Sequence, residues 1–458
     1  MILMKNVSFK YEGSENYSLK DINLTLEKGE CLLVTGPSGG GKSTLTKLIN
    51  GLIPAYFEGE LKGEIYIDGI NISDIPMYEL SGKVASVFQN PKTQFFNIDA
   101  EDEMAFALEN QGVDERIITE RLERAADELG IKKLMTKNIF EMSGGEKQII
   151  AFAGAYVSDA EVIVLDEPSA NLDREHMEII RDIMKKLMNQ NKMIIIAEHR
   201  LAYLRNVATR ACYMKNGQIL ENFTAEEFYG MSENKRCEMG LRELSAVTAN
   251  NNFETEGKEK TDISVKNMKL KYEAFNGKEL NLSFNYGEVI GIVGHNGLGK
   301  STFIRTLCGI IREKKGEICI SGRRVSCKKR KKKCGMVMQD VNYQLFSDSV
   351  ALECKLGNGQ VSDKEIYDIL EELSLLDKKD VHPMSLSGGE KQRLAIATML
   401  AGGKKIMMLD EPTSGLDYEN MMRISRLLKK VAEKGTLCLV VTHDTEFIRE
   451  ACSRIITI

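Results

Sequence analysis

Gly36-Pro37-Ser38-Gly39-Gly40-Gly41-Lys42-Ser43 follows the short apolar run Glu30-Cys31-Leu32-Leu33-Val34-Thr35 and precedes a helix-like stretch, Thr44 to Leu52. Backbone N–H groups can converge on phosphate oxygens only where side chains leave room, and glycines at this spacing leave it. The pattern returns as Gly294-His295-Asn296-Gly297-Leu298-Gly299-Lys300-Ser301, between the apolar run Val289 to Val293 and the helix-like stretch Thr302 to Gly309. Strands alternating with helices predict an α/β fold whose mainly parallel sheets are covered on both faces.

The rest of the chain repeats as well. Met142-Ser143-Gly144-Gly145-Glu146-Lys147-Gln148 recurs as Leu386-Ser387-Gly388-Gly389-Glu390-Lys391-Gln392. Val164-Leu165-Asp166-Glu167-Pro168 recurs as Met408-Leu409-Asp410-Glu411-Pro412, and Ala197-Glu198-His199 is matched by Val441-Thr442-His443. Ser143 to Asp166 and Ser387 to Asp410 are both 23 residues, and Asp166 to His199 and Asp410 to His443 are both 33. Chance does not keep two intervals in register, so one domain is present twice. Upstream the copies differ: Lys42 to Gln89 is 47 residues but Lys300 to Gln339 is 39. The expectation is a trimmed loop and a smaller helical part in the second copy. The polar stretch Met231 to Asp262, with Asn250-Asn251-Asn252, reads as a linker whose early part, Glu238 to Leu244, has short-helix character.

Composition narrows the class. Of 458 residues, 43% are hydrophobic and 28% charged, which is ordinary for a globular protein. The formal charge of −5 shows no basic excess, so no nucleic-acid partner is expected. No apolar run approaches the roughly 20 residues of a membrane span, and the N-terminus lacks a signal-peptide core. The 10 cysteines contain no C-x-x-C pair, which favours free, mostly buried thiols in a reducing compartment over a metal site.

Each motif suits a phosphate chemistry. Lys42 and Lys300 can neutralise β- and γ-phosphates, and the Ser43 and Ser301 hydroxyls can ligate Mg²⁺. Asp166 and Asp410, ending aliphatic runs, are candidates to hold the same ion. Glu167 and Glu411 are candidates to orient or deprotonate an attacking water. His199 and His443 stand at equivalent places among only 5 histidines and are candidate γ-phosphate sensors. Gln89 and Gln339 can accept from water and reach Mg²⁺. Glycines opening a helix at Ser143-Gly144-Gly145-Glu146 and Ser387-Gly388-Gly389-Glu390 make a second anion site in each copy. That site is surplus unless it serves the other copy's nucleotide.

This ordered set resembles the ATP-binding-cassette superfamily over both halves, the linker apart. The resemblance implies two P-loop ATPase domains, residues 1–230 and 262–458, joined by a linker at 231–261. Each would have a parallel core, an antiparallel β part and a helical subdomain. It implies ATP and Mg²⁺ as cofactors and a head-to-tail pairing of the halves, within one chain or between chains. Gly36, Ser38, Gly39, Gly41, Lys42, Ser43, Thr44, Gln89, Asp166, Glu167 and His199 would then share an ATP site with Ser387, Gly388, Gly389 and Glu390. Gly294, Asn296, Gly297, Gly299, Lys300, Ser301, Thr302, Gln339, Asp410, Glu411 and His443 would share the other with Ser143, Gly144, Gly145 and Glu146. Tyr11 and Tyr272 match the family's adenine-stacking aromatic, and Asp173 and Asp417 match the loop through which the halves communicate. Ile149, where the second copy has Arg393, is a departure.

Within the superfamily, Val87-Phe88-Gln89-Asn90-Pro91-Lys92-Thr93-Gln94-Phe95-Phe96, the acidic segment Glu101 to Asn110 and Ala197-Glu198-His199-Arg200-Leu201 resemble ATPases of energy-coupling-factor importers of vitamins or metal ions. That resemblance implies a transmembrane coupling protein and a small substrate-binding membrane protein as partners. It also implies a peripheral place on the cytoplasmic face of a bacterial membrane. The second copy, with Asp340-Val341-Asn342-Tyr343-Gln344-Leu345-Phe346, departs from this pattern, so the two grooves are expected to recognise different helices. The alternative is a soluble twin-cassette ATPase acting in translation, whose long charged linker Met231 to Asp262 does not provide. The block Lys328-Lys329-Arg330-Lys331-Lys332-Lys333 reads as a solvated loop, with lipid headgroups and nucleic acid as the other readings.

Overall fold

A computed structural model describes residues 1–170, 172–245, 261–271, 279–295, 297–358 and 361–458. Tyr272 and Asn296 lie outside the described residues. The chain divides into two compact units, Met1–Ala246 and Val247–Ile458.

The first unit contains two sheets. An antiparallel one runs Leu19–Leu26, Ile2–Tyr11, Gly59–Ile67, Ile70–Asn71. A six-stranded one runs Gln218–Thr224, Arg210–Lys215, Cys31–Thr35, Met193–Ala197, Val162–Asp166, Val84–Val87, parallel except for its first pair. Cys31–Thr35 and Met193–Ala197 are buried at every residue, which is why they read as unbroken aliphatic runs. Their side chains alternate between two cores. Leu33, Ile163, Leu165, Ile194 and Ile196 join the helical side, while Leu32, Val34, Val162, Val164 and Ile195 join the side under the antiparallel sheet.

The second unit repeats this plan. Its antiparallel sheet runs Leu280–Phe284, Ile263–Lys269, Lys315–Ile320, Arg323–Arg324. Its parallel sheet runs Cys334–Val337, Ile406–Asp410, Leu437–Val441, Val289–Val293, Arg454–Thr457. The smaller helical part expected here is present: Val350–Lys355 and Asp363–Glu372 stand where the first unit has Ala100–Asn110 and Glu115–Glu128. The helices after the glycine loops, Lys42–Ile49 and Lys300–Cys308, start two residues earlier than the apolar pattern suggests. The left-handed glycines Gly41 and Gly299 form their caps, so the lysine itself is the first helical residue.

Residues 231–245, expected as linker, fold onto the first unit. Ser232 caps a helix at Glu233–Glu238, and Met239, Leu241 and Leu244 are buried in its core. The remaining expected linker, 246–260, lies outside the described residues. All ten cysteines are free, and seven are buried. Burial pushes the thiols of Cys31, Cys212, Cys334, Cys354, Cys438 and Cys452 up to about 12, so they stay protonated and unreactive. No helix among the described residues is long and apolar enough to cross a membrane.

The basic block is helical, Cys327–Lys333, and is not uniformly solvated. Arg330 is fully buried, pairs with Glu313 at 2.5 Å and donates to the carbonyls of Val325 at 2.9 Å and Thr306 at 3.2 Å. It occupies the core position that Leu80 takes in the matching first-unit helix Met77–Lys83. Removing one partner of a buried pair leaves an uncompensated charge. Arg330→Ala should therefore cost the second unit about 3 kcal/mol in urea denaturation, and Lys331→Ala, at the exposed neighbour, less than about 0.5 kcal/mol.

Candidate ATP site and its family

Both glycine loops are held in a conformation that excludes side chains. A Cβ on Gly36 would lie 2.0 Å from the Met214 carbonyl oxygen, and one on Gly294 would lie 2.2 Å from that of Ile458. The neighbouring parallel strand thus presses the loop from outside. From inside, Lys42 Nζ donates to the carbonyls of Gly36 and Pro37, both at 3.0 Å. Lys300 Nζ does the same to Gly294 at 2.7 Å and His295 at 2.8 Å. In the first unit, Ser18, Ser38, Gly39, Gly41, Lys42, Ser43, Thr44 and Glu167 line a cavity of 280 Å³. None of Ser143, Gly144, Gly145 or Glu146 lines it.

The carboxylates meet the loops where the strands end. Ser43 Oγ donates to Asp166 Oδ1 at 3.0 Å, and Ser301 Oγ to Asp410 Oδ1 at 3.0 Å. A hydroxyl beside a carboxylate is a hard-oxygen donor pair, which fits Mg²⁺. Ser43 with Asp166, and Ser301 with Asp410, would hold it, and when bound it would offset charge on the β- and γ-phosphates. Burial first, and the charge of Glu167 next, raise the Asp166 carboxyl to about 6; burial also raises Asp410.

The next residue turns the chain sharply. Glu167 and Glu411 adopt φ of 45° and 47°, a left-handed conformation uncommon for a side chain of this size. Their N–H groups are pinned to the Ala197 carbonyl at 2.8 Å and the Val441 carbonyl at 2.9 Å. Glu167 accepts from Gln89 Nε2 at 2.8 Å and lies 3.4 Å from His199 Nε2. Glu411 accepts from Thr442 Oγ1 at 3.2 Å and the His443 N–H at 3.4 Å, with His443 Nε2 at 3.8 Å. Gln339, like Gln89, is exposed just beyond the end of a parallel strand.

Glu198 carries a role that the sequence reading missed. It is buried, and it accepts from the N–H groups of His199 at 2.8 Å, Arg200 at 3.0 Å and Ser169 at 3.3 Å, and from Tyr203 Oη at 3.1 Å. It thereby sets the backbone that carries His199. In the second unit the task falls to Asp444, which accepts from Thr413 Oγ1 at 2.8 Å and from the Phe447 N–H at 3.1 Å. The only signal was the carboxylate in Ala197-Glu198-His199, where the second copy has Thr442.

Tyr11 Oη is 3.2 Å from Thr44 Oγ1, and its ring meets Phe9 and Phe57 edge-on. That places the expected adenine platform beside the glycine loop.

The second anion motif is a capping box in both units. Ser143 Oγ accepts the Glu146 N–H at 3.2 Å, and Glu146 accepts the Ser143 N–H at 2.8 Å. Ser387 and Glu390 repeat the arrangement at 3.4 and 2.9 Å. Lys137 and Lys378 hold the two glutamates. Asp173 and Asp417 cap the helices Arg174–Asn189 and Tyr418–Glu433. Three residues on, a second contact appears that the motifs did not announce. A Cβ on Gly145 would lie 2.7 Å from the His176 ring, and one on Gly389 3.1 Å from Asn420. His176 also bonds Asp173 through Nδ1 at 2.5 Å, a contact that raises its pKa. In the second unit Arg393 Nη1 donates to Asn420 Oδ1 at 2.8 Å, a bond that Ile149 cannot make.

Asp166 generates a pH-dependent prediction. Its folded-state value of about 6 lies above the ordinary 3.8, so its ionised form opposes folding. That cost is absent below about pH 4, grows as pH rises and is complete above about 6, where it reaches about 3 kcal/mol. In chelator, Asp166→Asn should raise the urea unfolding free energy by about 2 kcal/mol at pH 8 and change it little at pH 4. The same substitution should abolish Mg²⁺-dependent turnover at the first site.

The ABC transporter family model matches residues 19–170 and 277–414. A protein of Treponema denticola, provisionally named an ABC transporter ATP-binding protein, is 44% identical over 464 residues, covering 100% of this chain and 95% of the relative. One of Methanosarcina mazei with the same provisional name is 32% identical over 468 residues, covering 100% and 93%. Among solved structures, RNase-L Inhibitor superposes with a TM-score of 0.63 at 22% identity, covering 98% of this chain and 87% of that one, a likeness of fold. The glycine loops, strand-end carboxylates and capping-box helices, each present in both units, agree with these matches, and the chain is a tandem ATP-binding-cassette ATPase belonging to the ABC transporter family.

Proposed function

We propose that this ATPase powers a membrane importer of the energy-coupling-factor type, which takes up vitamins, vitamin precursors or transition-metal ions. The supporting observation is an exposed apolar surface beside each glutamine loop. In the first unit, Phe96 and Phe140 are 76% and 77% exposed. The Ile139 N–H donates to the Ile98 carbonyl at 2.7 Å, which joins the two segments and adds exposed Ile98 to the same surface. In the second unit, Tyr343, Phe346, Leu352 and Met384 are exposed instead. Large aromatics left in water suit a partner helix. The different residues suit two different helices.

In this reading each ATP lies between the glycine loop of one unit and the Ser-Gly-Gly-Glu turn of the other, paired head to tail within one chain or between chains. Glu167 and Glu411 orient and deprotonate water, His199 and His443 contact the γ-phosphate, and Asp173 and Asp417 couple the sites. Gln148 Nε2 donates to the Phe88 carbonyl at 3.4 Å, tying the Ser143 helix to the Gln89 loop. Closure on ATP then moves the surface that grips the membrane partner.

The test is an affinity pull-down of the tagged chain from detergent-solubilised native membranes. Two small polytopic membrane proteins in stoichiometric amount are expected; recovery with ribosomes and no membrane protein would replace this reading with a translation role. Phe96→Asp with Phe140→Asp should lose the membrane proteins and keep basal ATPase activity. Glu167→Gln and Glu411→Gln should each lower steady-state turnover at least roughly tenfold; wild-type activity in either would remove that glutamate from the mechanism.

A further inference from the structure

Lys328, Lys329, Lys331, Lys332 and Lys333 are exposed on the helix Cys327–Lys333, and Arg323 and Arg324 are exposed on the short strand before it. None of these seven forms an ion pair among the described residues; the carboxylate packed under the helix, Glu313, is taken by Arg330. A helix of seven residues is roughly 10 Å long, close to the Debye length of about 8 Å at physiological salt. The charges therefore act as one concentrated field on a chain whose net charge is −5.

The first unit is an internal control. Its matching helix, Met77–Lys83, carries one lysine and a glutamate, and keeps the same core position with Leu80. The scaffold thus forms without the cations. Their mutual repulsion opposes folding and is not repaid within the described residues. An external polyanion would repay it.

Chemistry favours one polyanion. Single-stranded nucleic acid is held by cations interleaved with aromatics that stack on bases, and residues 309–335 contain no aromatic. They offer instead an exposed aliphatic, Ile310. It directly follows Gly309, where an added Cβ would lie 2.5 Å from the Cys327 carbonyl oxygen. Lysines beside a small apolar tip suit a headgroup layer. We propose that this face of the second unit, and not its counterpart in the first, docks on anionic lipid headgroups. The choice of lipid over other polyanions rests in part on the membrane role proposed above.

The test uses the purified full chain and vesicles of phosphatidylcholine with and without about one-third phosphatidylglycerol. The basic groups each add roughly fivefold to binding at such a surface. Wild type should co-sediment at least tenfold better with the anionic vesicles, and lose this as salt rises. Lys328, Lys329, Lys331, Lys332 and Lys333 changed together to Gln, with Arg330 retained, should lose at least tenfold while basal ATPase activity is unchanged. Equal binding to neutral and anionic vesicles, or undiminished binding by the Gln variant, would overturn the proposal. So would tighter, lysine-dependent binding to single-stranded RNA than to vesicles. No membrane protein is present in this assay, so its failure leaves the pull-down result standing, and a failed pull-down leaves this one standing.

Discussion

Each unit depends on a lysine ammonium enclosed by backbone carbonyls. Lys42 and Lys300 satisfy the carbonyls at the start of their loops, while Met214 and Ile458 leave no room for a side chain at the first glycine. A loop compressed on one side and cross-braced on the other is held in one conformation in advance of any phosphate. That preorganisation limits the ordering cost of binding. It also fixes the first turn of the following helix, and hence Ser43 and Ser301 against Asp166 and Asp410. The parallel ladder finishes the site by pairing Asp166 with Ala197 and Asp410 with Val441, which brings the glutamates and histidines to the same sheet edge.

The two units share this frame and differ in what tunes it. Glu167 accepts from Gln89, and Glu411 accepts from Thr442 and the His443 backbone. Glu198 holds its loop with four bonds where Asp444 works in the other unit. Behind the Ser-Gly-Gly-Glu turn, one unit uses a histidine bonded to an aspartate and the other an asparagine bonded to an arginine. These are exchanges of one polar network for another, so each keeps its backbone.

Much of the site was legible because its residues are constrained one at a time. A phosphate loop needs glycine at fixed steps, and a strand-end carboxylate must follow an aliphatic run. The repeat then removed most accidental matches. What escaped notice were residues whose partners are distant in sequence. Arg330 sat unremarked in a run of cations because its partner Glu313 is 17 residues away. His176 and Asn420 carry no motif, and their role appears only where a helix cap packs on a glycine. The stretch after Met231 looked like linker because its polar residues outnumber the three apolar ones that anchor it.

The sequence by itself determined the doubled α/β plan, the order of the phosphate-binding elements and the chemistry available at each, since period, spacing and residue type are local properties. Tertiary structure alone decided which carboxylates are raised, which side chains each glutamate meets, and which cation of a charged run is core. Those outcomes depend on desolvation and on partners brought together by the parallel ladder, and a linear pattern does not record either.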